Sequence, residues 1–290
     1  MNTIWSDYLQ TTEELYISRS LRFRLDNRDV WLERILVKDG MDVLEVGCAG
    51  GLLLQRIKQC YPHVRAVGLD RDSNHIAYAK GKAKELGLSC SFVEGDAIAL
   101  PFENEVFDAT LSHAVIEHVP TSQFLNEQHR VLRKGGSITI MVAMNKYNVS
   151  PEDWKTTDLI DNALKDKKMI TETYGFAKYE LALHEYPHEM ERAGFNEIDI
   201  QFASIVDYAP DNFSVSIEDG LLQINANRKS VLESINKAEK NCPEVFTPRE
   251  KKRLVDLVNS RFDRRIAQYN QGEKIWDIGT STIMFITGRK

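Results

Sequence analysis

Between residues 43 and 143 short runs of β-branched and apolar residues alternate with stretches whose apolar positions recur every three or four residues. The runs occupy 43–46, 64–69, 90–93, 106–111 and 137–143. Near-continuous apolar runs separated by helical stretches are the signature of a parallel sheet with crossover helices. Between the second and third runs, Asp72 or Ser73 can cap a helix with Ile76, Ala79, Ala83 and Leu86 on one face, and Gly87 is placed to end it. Ser150 followed by Pro151 predicts a helix start, the helix running to about residue 168. A short helix over 187–193, stopped by Gly194, leads into an alternating strand carrying Ile198, Ile200 and Phe202. The last strand is expected over 281–287.

About 75 residues separate those two strands, too many for a hairpin loop, so they carry structure of their own, two helices in this reading. The second opens on a capping box, Thr247-Pro248-x-Glu250, and continues as a stripe of Leu254, Leu257, Val258, Phe262, Ile266 and Tyr269. Its other side is basic, with Arg249, Lys251, Lys252, Arg253, Arg261, Arg264 and Arg265, and reads as a solvated face.

Composition adds limits. Of 290 residues, 42% are hydrophobic, 28% charged and 9% aromatic, which excludes a disordered, collagenous or disulfide-scaffold chain. Lys plus Arg 37 against Asp plus Glu 43 leaves a net charge of -6, which argues against nucleic-acid binding driven by overall charge. The charge-free run 135–145 falls short of the ~20 residues of a membrane span, so no membrane partner is expected. The first ten residues contain Asp7, no Lys or Arg and no secretory pattern, so a cytoplasmic location is expected. Cys48, Cys60, Cys90 and Cys242 form no Cys-x-x-Cys pair and read as reduced thiols, with no metal site.

The candidate chemistry begins where the strand 43–46 runs into Gly47-Cys48-Ala49-Gly50-Gly51 and an apolar helix opens at Leu52. A glycine-rich first βα turn marks the ligand crevice of a doubly wound sheet, because backbone must approach something closely there. Asp70 ends the next strand, 23 residues beyond Gly47, where a carboxylate can accept both hydroxyls of a ribose. Asp96, after the third strand, can accept from an adenine amino group. Taken with Phe107-Asp108, Ser112 to His118, and Leu132-Arg133-Lys134-Gly135-Gly136, these residues resemble the class I S-adenosylmethionine-dependent methyltransferases, in particular the small-molecule branch. The resemblance covers 30–143.

That resemblance implies an α/β, Rossmann-like, doubly wound seven-stranded sheet with an antiparallel last strand, plus helical cap insertions. It implies S-adenosyl-L-methionine as cofactor, with the glycine loop beside the methionine part, Asp70 on the ribose, Asp96 on the adenine and Glu45 positioning the loop. By the same implication Gly47, Cys48, Ala49, Gly51, Arg71, Ala97, Ser112 and His113 complete the cofactor-binding set. The pattern departs at Ala49, where the family usually has glycine; a methyl group is a small intrusion there unless the backbone requires positive φ. The expected core is 31–204 and 276–290, with a helical insertion at about 145–190. Residues 1–30 and 205–275 are then helical caps over the cleft, and Tyr16, Arg22 and Arg24 are candidates for closing on the cofactor.

A sulfonium is a good leaving group, so proximity, orientation and exclusion of water carry most of an in-line methyl transfer, and a base is needed only for a poorly acidic acceptor. His113 and His118, just past the fourth strand, are the candidate bases. No Asn-Pro-Pro-Tyr, Asp-Pro-Pro-Tyr or Pro-Cys stretch follows that strand, which leaves a small-molecule acceptor. His184-Glu185-Tyr186-Pro187-His188 matches a zinc-protease pattern, but Pro187 interrupts the helix that would align its histidines. Tyr174 and Lys178 match a dehydrogenase pair without that family's glycine loop and read as helix surface. A nicotinamide-dependent oxidoreductase is the weaker enzyme reading, because Leu52 stands where a third glycine is wanted. A non-catalytic cofactor-binding or partner-binding module of the same fold is the other alternative.

Overall fold

The structure is a computed structural model and describes residues 5–149, 176–241 and 247–290. These fall into two compact units. The first comprises 5–145, 176–205 and 282–290, and the second 146–149, 206–241 and 247–281.

The first unit opens with α1 (Trp5–Tyr8), α2 (Thr12–Arg22) and α3 (Arg28–Trp31). The alternating region then gives β1 (Asp42–Val46), α4 (Leu52–Cys60), β2 (Arg65–Asp70), α5 (Ser73–Glu85), β3 (Cys90–Glu94), β4 (Phe107–His113), α6 (Thr121–Val131) and β5 (Leu132–Val149). After α7 (Glu185–Arg192), β6 (Asn196–Tyr208) and β7 (Ile278–Arg289) complete a seven-stranded sheet of order β3-β2-β1-β4-β5-β7-β6. Strands β1 to β5 are parallel where they pair, with Glu45 beside Gly68 and Leu111. β7 runs the other way: the Gly135 amide donates to the Lys290 carbonyl at 2.9 Å and the Lys290 amide donates to Gly136 at 3.0 Å. The expected sheet with its antiparallel last strand is what the chain forms.

Asp72 is the N-cap of α5, accepting from the Asn74 amide, and Ile76, Ala79 and Ala83 are buried as the stripe requires. Leu86 is not: it lies past the helix end and is exposed. The two sides of the sheet fill with separate apolar clusters, one around Phe23, Trp31, Leu53 and Ile57, the other around Leu44, Phe107, Phe124 and Phe285's neighbour Met284. Of the alternating apolar residues of β6, Ile198 packs against the second cluster while the next two are open. Ile200 and Phe202 are exposed while Ala203 and Ile205 are buried, because alternation fixes two faces without saying which of them the sheet covers. The predicted helix over 150–168 lies outside the described residues.

The second unit holds α8 (Ile217–Asn241) and α9 (Pro248–Asn270), the two helices expected between the last strands. Thr247 caps α9 by accepting from the Glu250 amide, and Leu254, Val258 and Phe262 are buried with Ile224 and Ile235. Arg265 corrects the solvated basic face. It is buried, 2.8 Å from Asp211 and 2.9 Å from Asp277, and the Tyr208 hydroxyl donates to Asp277 at 2.8 Å. Lys251, Lys252 and Arg253 are paired with Glu239, Asp256 and Glu250. Among the described residues no helix is long and apolar enough to cross a membrane.

Candidate cofactor and acceptor site

The parallel order β3-β2-β1-β4 brings four carboxyl ends to one edge, on strands about 4.8 Å apart. Buried β1 enters the glycine loop at Gly47, whose φ is +75°; a β-carbon there would stand 2.4 Å from Val115. Gly51, the N-cap of α4, has φ +77°, and a β-carbon would stand 2.6 Å from the Phe92 ring. Side chains are excluded at both positions by sterics as well as by φ. Ala49, between them, also takes the left-handed conformation, at φ +47°, so the methyl group sits where the backbone favours glycine.

The loop is tied to the end of β2. The amides of Gly47 and Cys48 donate to the Leu69 carbonyl at 2.7 and 3.0 Å, and the Ala49 amide donates to Asp70 Oδ2 at 2.8 Å. Asp70 Oδ1 accepts from the Asp72 amide at 3.0 Å and lies 3.4 Å from His75 Nδ1. Burial works to raise the Asp70 pKa, but His75 and the two amides outweigh it and hold the carboxyl below its ordinary range. A carboxylate has about four lone-pair sites, so two amides leave this one able to accept more. The Gly95 amide donates to the Asp70 carbonyl at 3.0 Å and so brings the β3 end alongside. Asp96 is exposed there, its Oδ1 accepting from the Ile98 amide at 3.1 Å, with Ala97 half-buried beside it. Arg71 is exposed next to Asp70.

On the other side, β4 delivers Ser112 and His113, both buried. The Ser112 hydroxyl has no partner among the described residues. Arg19 donates to the Cys48 carbonyl and to the His113 carbonyl, each at 3.3 Å, so α2 joins the loop to the end of β4. The Arg22 guanidinium lies 3.3 Å from His113 Nε2. Burial, together with Arg19 and Arg22, drives the His113 pKa well below the ordinary histidine value. Burial pushes the Cys48 thiol up, so it is no nucleophile at neutral pH. Beneath the loop, burial lifts Glu45 to about 8 against the pull of Arg19.

Of the amino-terminal candidates, Tyr16 donates its hydroxyl to Gln55 Oε1 at 2.7 Å and packs with Tyr78 over Gly50. Arg22 meets His113, whereas Arg24 pairs with Asp26 at 2.8 Å. Arg19 is the residue sequence reasoning missed. Its signal was spacing, since Tyr16, Arg19 and Arg22 recur every three residues on one helix face. His118, in the short turn Ile116–His118, accepts from the Ala177 amide at Nδ1 (2.9 Å) and forms a three-ring cluster with Trp5 and Phe176. Burial, with Arg71, lowers its pKa to about 4.

His184 precedes α7, His188 pairs with Glu191 at 3.2 Å, and no group of three metal-ligating side chains occurs among the described residues. Lys178 packs over the Tyr179 ring, and Tyr174 lies outside the described residues.

Residues 43–136 match the profile of a methyltransferase domain. A demethylmenaquinone methyltransferase of Thermus thermophilus is 32% identical over 130 residues, 43% of this chain and 58% of that protein. A ubiquinone biosynthesis O-methyltransferase of Ruegeria pomeroyi is 34% identical over 123 residues, 42% of this chain and 47% of that one. The chain thus spans about half the length of these curated relatives. The fold is similar to that of phosphoethanolamine N-methyltransferase 2 of Haemonchus contortus in complex with S-adenosyl-L-methionine, with a TM-score of 0.56 at 16% identity over 100% of this chain and 60% of the other. With the profile on β1 to the start of β5, and the glycine loop, Asp70 and Asp96 at adjacent strand ends, residues 43–136 are a methyltransferase domain of the class I S-adenosylmethionine-dependent family.

Proposed function

We propose that the protein transfers a methyl group from S-adenosyl-L-methionine to a small-molecule acceptor. The observation that carries this reading is Asp70: a charged, largely buried carboxylate with spare acceptor capacity, fixed against the glycine loop by the Ala49 amide. The side chains present fit the cofactor. Asp70 and Asp96 are acceptors on neighbouring strand ends for ribose hydroxyls and an adenine amine, the loop glycines admit a close backbone approach, and the Ser112 hydroxyl is a buried polar group without a partner among the described residues. When bound, the cofactor supplies an electrophilic methyl group on a sulfonium. The chain's part is to hold donor and acceptor in line and keep water out, with Arg19 bracing the loop against β4 and Tyr16 and Tyr78 covering Gly50.

The relatives' acceptors, quinones and phosphoethanolamine, support a small metabolite. The net charge of -6, with α9 lysines and an arginine already paired within the chain, favours that over nucleic acid. The test is calorimetric titration with S-adenosylmethionine, S-adenosylhomocysteine, NAD and NADP. The first two are expected to bind, and Asp70→Ala to weaken them by about 30- to 150-fold, the loss of roughly 2–3 kcal/mol of charge-assisted hydrogen bonding. Selective dinucleotide binding overturns the reading. Turnover with demethylmenaquinol, a hydroxylated benzoquinol and phosphoethanolamine then separates an enzyme from a cofactor-binding module.

A further inference from the structure

Both histidines near the site have their lone pairs engaged. His118 accepts the Ala177 amide at Nδ1, so its neutral ring carries its proton on Nε2, which lies 3.8 Å from Glu117 Oε1. Arginine has no acceptor atom, so His113 must accept from Arg22 at Nε2 and hold its own proton on Nδ1. Protonating His113 would place a third positive charge beside Arg19 and Arg22.

Glu117 is in the opposite situation. Its Oε2 is buried and has no hydrogen-bond partner among the described residues. Its place in the fold is set on both sides: the Tyr179 amide donates to its carbonyl at 2.9 Å, and Val115, two residues earlier, packs directly on Gly47 of the loop. The charged and titratable groups facing it are Arg19 of α2, His118 of its own turn, Glu180 of the segment before α7, and Tyr186 of α7. Burial lifts its pKa to about 7; its own backbone amide and Arg19 oppose the rise and Glu180 adds to it. A base of that strength suits proton transfer at neutral pH.

We infer that Glu117 Oε2, and neither histidine, takes the proton that the methyl acceptor loses. The inference rests on the methyl-transfer reading above. The acceptor's lone pair forms the bond to the methyl carbon, and the carbon–sulfur pair returns to sulfur, so the sulfonium becomes a neutral thioether. The acceptor's proton passes to Glu117, whose negative charge is lost as the sulfonium's positive charge is lost. His118 Nε2–H faces the carboxylate from the other oxygen and is a positioning group.

The experiment has two readouts on the full chain. Infrared titration with S-adenosylhomocysteine bound is expected to show a carboxyl titrating near 7 that disappears in Glu117→Gln, while Glu45, at about 8, remains. With whichever of phosphoethanolamine or the two quinols turns over, Glu117→Gln is expected to lower kcat by about 100-fold or more and to lose the acid limb of the pH profile. S-adenosylmethionine affinity should stay within about twofold, and Glu117→Asp should restore part of the rate. The inference is overturned if the unmutated protein shows no carboxyl titrating near 7, a readout that does not depend on a variant folding. It is equally overturned by a Glu117→Gln enzyme that keeps its rate and acid limb. Failure of the unmutated protein to bind S-adenosylmethionine is a separate result, and it overturns the methyl-transfer reading instead.

Discussion

The two ends of the same parallel sheet are built on opposite terms. At the amino ends polar groups find partners within the chain. Asp108 accepts from the Asp42 amide at 2.8 Å and from Arg133 at 2.7 Å, Arg133 also reaches Asp42 at 2.8 Å, and Lys58 donates to the carbonyls of Pro62 and Val64. At the carboxyl ends the Ser112 hydroxyl, Glu117 Oε2 and His113 Nδ1 are buried without partners among the described residues, and Ala49 and Ala114 take positive φ. Buried polar atoms are almost always satisfied, so those left open at the carboxyl ends are available to a ligand; left-handed backbone does not separate the two edges, since Leu36 and Glu105, before β1 and β4, also take positive φ, and Ser137 near the amino ends is likewise buried without a partner among the described residues.

The largest effect that would sharpen this contrast is Gly51→Ala. It forces a β-carbon to 2.6 Å from Phe92 at φ +77°, with an expected loss of about 3 kcal/mol by urea unfolding and weakened S-adenosylmethionine binding by calorimetry. At the other end, Asp108→Ala is expected to cost up to about 2 kcal/mol, since Asp108 and Arg133 are partly exposed, while S-adenosylmethionine affinity stays within about twofold. A parallel loss of affinity in that variant would break the comparison.

The pH dependence of stability separates the ends next. Glu117 has a folded pKa of about 7 against an unfolded value of about 4.3, so its contribution is fully present below about 4.3 and is lost as pH rises to 7. Glu117→Gln should therefore gain stability relative to the unmutated protein between pH 5 and pH 7, by at most about 1.4 kcal/mol per pH unit. Equal slopes in urea melts at those two pH values would refute the raised carboxyl. The smallest effect is Ala49→Gly, expected to stabilise by about 1 kcal/mol by relieving the left-handed alanine, read as a shift in the urea midpoint.

Some of the site was legible and some was not, for a consistent reason. Gly47, Gly51, Asp70 and Asp96 announce themselves because each lies within a few residues of a strand end, and strand, turn and helix signals are local. Arg19 reaches Cys48 and His113, residues 29 and 94 positions away; its spacing with Tyr16 and Arg22 marks one face of α2 but not what that face meets. Glu117 was passed over for the histidine beside it, because an unperturbed histidine pKa lies nearer neutrality than a glutamate's. Burial reversed that order, lifting Glu117 to about 7 and lowering His118 to about 4.

What the sequence determined by itself is the alternation of strands and helices, the position of the glycine loop and the carboxylates at the next two strand ends, all consequences of hydrophobic period and turn chemistry over short spans. The tertiary structure alone decided that β6 turns Ile200 and Phe202 outward, that Arg265 is buried between Asp211 and Asp277, that Ala49 is held at positive φ, and which site groups carry protons. Those outcomes depend on desolvation and on charges brought close by chain segments far apart in sequence, quantities that exist only once the sheet has assembled.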